Sequence, residues 1–366
     1  MTPLPEVIAK SPGVEHRSVV SARKGGVQRL NPLEMPGWDK WVMSHAAASS
    51  FHSAGWARVL RDTYRHSPCY FGVLDGERLS ALLPLMEVKS PLTGKRGVCL
   101  PFTDECPMLC DGSVSAEDLL QEAMDFGRRR KWRYLEWRGS HSRSGPPSLS
   151  FFGHILALSD RPDRVFMRFD SAVRRAIRKA ENAGVQVAIS RSWESLQTFY
   201  SLHCKTRKKH GLPPQGIAFF RSIFDHVLSE GNGFVAVASC QNRPIAAGVF
   251  FHFDDKAIYK FGASDLEFQH LRGNNLIQWE AIKWYASRDY ASLHFGRTSL
   301  ANEGLRRFKL GYGADEHKID YFKYDFQKGA FVAERDRAFG WFNGIFRLLP
   351  IPLSRKLGRL LYRHLS

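Results

Sequence analysis

Residues 130–137 read Arg130-Lys131-Trp132-Arg133-Tyr134-Leu135-Glu136-Trp137, and residues 288–295 read Arg288-Asp289-Tyr290-Ala291-Ser292-Leu293-His294-Phe295. Each leaves a helix-like stretch and enters a short run of strand character. A hairpin pattern lies at a comparable distance upstream of each. Tyr70 to Leu74 and Leu79 to Val88 flank the turn Asp75-Gly76, and Phe234 to Ser239 and Ile245 to Phe253 flank Gln241-Asn242.

Working outward, the first half opens with a helix over Ala54 to Tyr64. Trp56, Val59, Leu60 and Tyr64 share one face, and Ser53 is its cap. A strand at Gly97 to Phe102, a helix over Ser115 to Arg129 and the strand Tyr134 to Trp137 follow. The second half repeats the plan. Helices over Trp193 to Thr206 and Ile217 to Ser229 precede the hairpin, then come a strand at Ala257 to Gly262, a helix over Asn275 to Ser287 and a strand at Ser292 to Phe295. The pattern predicts a divergent internal duplication. Its fold class is α/β (α+β): two tandem units, each a mixed, mostly antiparallel sheet flanked by helices.

The chain has 366 residues, more than the roughly 150 of one average domain. We expect a disordered leader over 1–30, a first domain over 31–150, a second, catalytic domain over 151–330 and a basic tail over 331–366. The boundary falls in the turn-forming stretch His141-Ser142-Arg143-Ser144-Gly145-Pro146-Pro147. With 43% hydrophobic and 13% aromatic residues there is material for two packed cores, and the ordinary content of 30 Gly and 18 Pro argues against collagen-like and linker-dominated classes. Met1 to Gln28 lacks an apolar run of signal length, and no run approaches the roughly 18 residues of a membrane span. We therefore expect a cytoplasmic protein. The six scattered cysteines read as reduced structural thiols, and no metal-ligand spacing, Ser-His-Asp pattern or Walker pattern occurs.

The formal charge of +17 attracts polyanions: nucleic acid, anionic lipid or phosphate-bearing small molecules. Two basic clusters concentrate it. Helical spacing over Ser171 to Ala180 places Arg174 with Arg178 and Arg175 with Lys179, opposite a stripe of Val173, Ile177 and Ala180, with Gly184 as the stop. The second cluster is Lys205-Thr206-Arg207-Lys208-Lys209-His210-Gly211, followed by Leu212-Pro213-Pro214. Guanidinium forks suit phosphate. Arg174, Arg175, Arg178, Lys179, Arg207 and His210 are the expected anion clamp, with solvated surface charge as the alternative.

The stretch Phe295-Gly296-Arg297-Thr298-Ser299, followed by Gly304-Leu305-Arg306-Arg307-Phe308-Lys309-Leu310-Gly311-Tyr312-Gly313, resembles the Fem family of GNAT-superfamily transferases. Those enzymes carry a Phe-Gly strand end and then Phe-Lys-x-x-Phe/Trp-Gly. Ser50-Phe51-His52, Leu83-Pro84-Leu85, Leu100-Pro101-Phe102-Thr103-Asp104, the segment 174–180 and the segment 206–213 resemble the Fem-like group found beside exosortase (PEP-CTERM) and exopolysaccharide systems. The resemblance spans residues 45 to 325. It implies two GNAT-like domains and transfer of an acyl or aminoacyl group to an amine or hydroxyl of a cell-envelope or exopolysaccharide precursor. The implied donor is acyl-CoA or aminoacyl-tRNA. The implied acceptor is a phosphate-bearing glycan or lipid-linked precursor, with tRNA as a further partner. In GNAT enzymes a Gln/Arg-x-x-Gly-x-Gly/Ala loop holds the coenzyme A pyrophosphate at a helix start. The corresponding residues here are Arg272, Gly273, Asn274 and Asn275, and only Gly273 matches. The reacting carbonyl's cation is carried over to Lys309, with Arg297 next. Candidate bases are Glu303, His294 and Asp104. We expect no metal and no covalent intermediate. The alternatives are acetyl-CoA-dependent N- or O-acetylation of an exported polysaccharide, and a non-catalytic protein that binds tRNA or lipid on a degenerate scaffold.

Residues 341–366 contain Arg347, Arg355, Lys356, Arg359 and Arg363 and no acid. Ser354 reads as the cap of a helix with Leu357, Leu360, Leu361 and Leu365 on one face. Such a helix either lies on an anionic membrane surface or docks on the protein itself.

Overall fold

The structure is a computed structural model that describes residues 26–76, 78–139, 145–159, 161–334, 336 and 342–364. Both halves show the expected order of elements. Ser53 caps helix Ala54–Tyr64 by accepting from the Trp56 amide, and Trp56, Val59, Leu60 and Tyr64 face inward. Strands Gly233–Cys240 and Arg243–Phe253 are joined by Gln241 and Asn242 at φ 49° and 60°, the left-handed pair that a two-residue hairpin turn requires. Each half then closes a parallel strand pair through a helix. Gly94–Val98 lies beside Tyr134–Arg138 with helix Ala116–Arg130 between them in the chain, and Lys256–Ser264 lies beside Ser292–His294 with helix Gly273–Ala286 between them.

The strand expected over 79–88 is two strands in two sheets. Pro84 separates them, having no N–H to continue a ladder. Arg78–Leu83 joins Tyr70–Asp75, Gln28–Leu30 and Leu109–Cys110 in a 4-stranded sheet, whereas Met86–Ser90 crosses to the main sheet. The leader expected over 1–30 lies outside the described residues as far as 25, and its end, Gln28–Leu30, is that edge strand.

The two halves do not keep separate main sheets. The boundary expected near residue 150 cuts through strand Leu149–Ala157, which runs between Ser292–His294 and Asp315–Asp325. Asp315–Asp325 bridges the halves: its residues 315–321 pair with Leu149–Ala157, and its residues 321–325 pair with Tyr134–Arg138. The result is one 13-stranded sheet. One core is shared as well. Trp56 packs against Phe219 and Phe251, and Tyr64 against Phe219, with ring centroids 6.1, 5.9 and 5.6 Å apart. A second core covers the other face of the second half's strands. Along Gly233–Cys240, Val235 and Val237 point to the shared core, while Phe234, Ala236 and Ala238 point to helices Ser171–Asn182 and Gly273–Ala286.

The C-terminal helix Ile351–Leu361 packs against helix Trp193–Lys209. Ser354 is inside the helix rather than at its cap, and Leu360 is exposed. The inner seam is Ser354, Gly358 and the following Tyr362, because a Cβ at Gly358 would stand 1.9 Å from the Pro214 carbonyl oxygen. All six cysteines are free thiols.

Candidate active site

Strand Lys256–Ser264 carries a β-bulge. Val249 faces Phe261 and Phe250 faces Tyr259, so Lys260 stands outside the ladder. Its ammonium reaches Asp104 of the first half at 2.7 Å, with the two side chains 6% and 15% exposed. Burial pushes the Asp104 carboxyl up, but Lys260 and Arg297 outweigh it and hold the group below its ordinary value. The same burial lowers Lys260, against the pull of Asp104. Asp104 is among the residues expected from the sequence; Lys260 is not, since a bulge leaves no mark when each strand is read alone.

Strand Ser292–His294 runs into Gly296, at φ 72°. Lys309 approaches this turn from helix Glu303–Leu310. It is 3% exposed and donates to the carbonyl oxygens of Gly296 at 2.7 Å and Arg297 at 3.1 Å. Burial lowers its pKa to about 8, with Asp104 opposing. Arg297 itself is exposed. Its guanidinium donates to the Tyr321 hydroxyl at 2.8 Å and lies 4.3 Å from the Phe151 ring centre, and Tyr321 in turn donates to the Asp104 carbonyl oxygen at 2.5 Å. Lys309, Arg297 and Asp104 are thus gathered in one place. Glu303 points to solvent at the start of its helix, 3.6 Å from Arg306, and takes no part in this network.

A second network adjoins the first. Glu105 receives a hydrogen bond from His317 Nε2 at 2.9 Å, and His294 Nε2 stands 3.6 Å away, beyond hydrogen-bond reach. Burial raises the Glu105 carboxyl, but the two imidazoles bring it down to about 2. The hydrogen bond that His317 donates to Glu105 raises the imidazole's pKa. Gly153, opposite His317 on strand Leu149–Ala157, makes room for the ring: a Cβ there would lie 2.3 Å from it. His294 Nδ1 accepts the Gly296 N–H at 2.8 Å, which puts the imidazole proton on Nε2. Glu105, His294 and His317 form a donor set compact enough for a metal ion, within 4.8 Å. The proton on His294 Nε2 opposes ligation, because the atom nearest Glu105 has no lone pair to give.

Glu105, His294 and His317 line a cleft of about 410 Å³ between the halves, whose apolar walls include Ala46, Ala48, Phe51, Pro107, Ile155 and Ile258. A larger hollow of about 650 Å³ lies beside Glu87 and Arg130. Its buried carboxylate, Glu87, is taken up by Arg130 and Trp132.

The residues expected to hold coenzyme A sit at the start of helix Gly273–Ala286. Arg272 takes φ 61°, and a Cβ on Gly273 would come within 3.2 Å of the Ile245 side chain, so this glycine serves packing against strand Arg243–Phe253. Asn274 follows at the helix start, half-buried. Asn275 donates to the Tyr312 hydroxyl at 3.2 Å. The parallel pairing of residues 256–258 with 292–294 stops at Ile258 and His294. Beyond it Phe295 and the fully buried Tyr312 pack 5.4 Å apart, beneath the start of the helix.

The two basic clusters do not meet. Arg175, Arg178 and Lys179 are exposed and Arg174 half-buried on helix Ser171–Asn182, above the buried stripe of Val173, Ile177 and Ala180. That helix packs on the face of the sheet opposite to helix Trp193–Lys209. Arg207 is engaged structurally, donating to the Pro213 carbonyl oxygen at 3.2 Å and the Tyr362 hydroxyl at 2.6 Å. His210 ends its helix, and burial, then Lys209, Arg207 and Arg347, depress its imidazole.

Residues 167–319 match the family described as acetyltransferase (GNAT) domain. No curated protein matches the sequence. Among solved structures, FemX is similar over 82% of this chain and 98% of its own, with a TM-score of 0.65 at 15% identity. A tandem GNAT protein from the clavulanic acid biosynthesis pathway is similar over 86% of this chain and 100% of its own, with a TM-score of 0.53 at 9% identity. L-PGS from Bacillus licheniformis is similar over 88% and 95%, with a TM-score of 0.51 at 12% identity. At these identities the likeness concerns the fold, which is the tandem GNAT architecture.

Proposed function

We propose that this chain is an acyl- or aminoacyl-transferase whose reaction centre is the cleft between the halves. One observation carries the reading: the Glu105–His317 pair lines the cleft beside His294, and His294 accepts the N–H of Gly296, the turn residue whose carbonyl Lys309 holds next to Arg297. Acyl transfer needs a base for the nucleophile's proton and a cation for the tetrahedral oxyanion. His317, oriented by Glu105, takes the proton from the acceptor's amine or hydroxyl. The freed lone pair attacks the donor carbonyl, and Arg297 faces the resulting oxyanion. Collapse expels the donor's thiolate or ribose oxygen, which recovers the proton. Lys309 acts one step back. Two of its three N–H groups hold the carbonyls of residues 296 and 297, so it positions Arg297 rather than meeting the substrate itself.

Of the two donors, aminoacyl-tRNA has the better support. Tyr312 and Phe295 are packed beneath the start of helix Gly273–Ala286, and the exposed cations of helix Ser171–Asn182 flank that helix. The GNAT family match over 167–319 favours acyl-CoA as the second reading. The acceptor class remains a phosphate-bearing glycan or lipid-linked precursor of the envelope or of an exopolysaccharide.

The test is binding followed by turnover. Charged tRNA should be retained on filters with the protein, with affinity that falls steeply as salt rises. Coenzyme A should leave the melting temperature unchanged. A saturable shift with coenzyme A and no tRNA retention would hand the assignment to the acetyl-CoA reading. Donor binding with turnover undiminished in His317→Gln would remove the base.

A further inference from the structure

The C-terminal helix docks on the protein and still presents a second face. Its seam of Ser354, Gly358 and Tyr362 is seated against the chain, and Arg96 anchors the end by donating to the His364 carbonyl oxygen at 2.7 Å. Leu353 and Leu360 are seven residues apart, two turns of one helix face. They stand opposite the seam, 44% and 61% exposed. Leu348, at the end of the preceding helix Phe342–Leu348, is 85% exposed. Each of these side chains keeps a large part of its apolar surface outside the docked seam.

Their charged neighbours are all of one sign. Arg347, Arg355, Lys356, Arg359 and Arg363 are exposed, and residues 341–366 contain no Asp or Glu. Arg347 and Lys209 both act on the His210 imidazole, so the basic end of helix Trp193–Lys209 adjoins the same surface.

Leucines set among cations with no acid match one environment best. In the headgroup layer of an anionic bilayer, the apolar side chains reach the acyl boundary while lysine and arginine meet phosphates. A soluble polyanion would use the cations and leave the leucines in water. An apolar protein partner would leave the cations unmatched. We propose that the outer face of helix Ile351–Leu361, together with Leu348 and the cations around it, attaches the protein to an anionic phospholipid surface. The helix is already folded and seated, so attachment does not have to bear the entropic cost of ordering it. This attachment is independent of the transferase reading.

The experiment is flotation of the full chain with vesicles of phosphatidylcholine alone or mixed with phosphatidylglycerol. The protein should float with the mixed vesicles at low salt, remain below with phosphatidylcholine alone, and be released as salt rises. A Leu353→Ser/Leu360→Ser variant, both positions being exposed, should melt at the wild-type temperature and bind mixed vesicles about tenfold more weakly. Lys356→Gln/Arg359→Gln should weaken binding similarly. Failure of the wild type to float with mixed vesicles would overturn the proposal. So would a leucine variant that floats as well as the wild type, which would show a surface that recognises any polyanion through charge alone.

Discussion

In the proposed reaction, Lys309 and Arg297 divide the work that a single lysine was expected to do. The lysine is buried with its N–H groups committed, and the arginine is exposed at the turn it holds. Arg297→Ala should therefore lower kcat by about 10²- to 10³-fold with little change in KM, the signature of an interaction made in the transition state. Steady-state kinetics checks it, and a pure KM effect would reassign Arg297 to substrate binding. Lys309 leaves a different trace. Burial lowers its folded pKa to about 8, whereas an unfolded lysine titrates near 10.4. Between those values the unfolded chain binds a proton that the native chain has lost, so this contribution to stability rises with pH and is lost as pH falls through about 8. Denaturant titrations of the wild type and Lys309→Met from pH 7 to 10 should show their stability difference shifting toward the wild type across that window. A constant difference would contradict the buried, depressed ammonium.

At the scale of elements, the candidate site depends on strands that allow close approach. Strand Leu149–Ala157 places Gly153 under the His317 ring, and a methyl group there would collide at 2.3 Å. Gly153→Ala should displace the imidazole from Glu105, with a stability cost of about 1–3 kcal/mol from overpacking. The resulting loss of activity should resemble that of His317→Gln. Melting curves and turnover together separate a misplaced base from global unfolding. The bulge at Lys260 is a device of the same kind. By lifting one residue out of the ladder it sends an ammonium across to Asp104 and ties the second half's strand to the first half's loop.

At the scale of the molecule, the two halves share one sheet and one core. Strand Asp315–Asp325 pairs with both halves, and Phe219 of the second half packs between Trp56, Tyr64 and Phe102 of the first. Phe219→Ala should cost about 3–5 kcal/mol. Calorimetry should show one cooperative transition moving to lower temperature. Two resolved transitions, with only the later-melting half affected, would mean that the repeats fold independently.

Helices, caps and hairpin turns were legible in the linear sequence because each is decided within about a dozen residues. Ser53 before a periodic run, Gln241-Asn242 between two strands, and Val173, Ile177 and Ala180 at helical spacing all carry their own geometry. The repeat was legible for the same reason, and so was the grouping of Lys309 with the Phe-Gly strand end nearby in the chain. The strand Leu149–Ala157 was hidden behind a turn-forming stretch that reads as a linker. Glu105, Lys260, His294 and His317 are spread over more than two hundred residues, and no local pattern links them. Only the shared sheet, by pairing the last strand with both halves, brings Glu105, His294 and His317 to one cleft and Lys260 to the neighbouring Asp104. The basic clusters show the converse. They look like partners when read along the chain, and the sheet that lies between their helices keeps them apart.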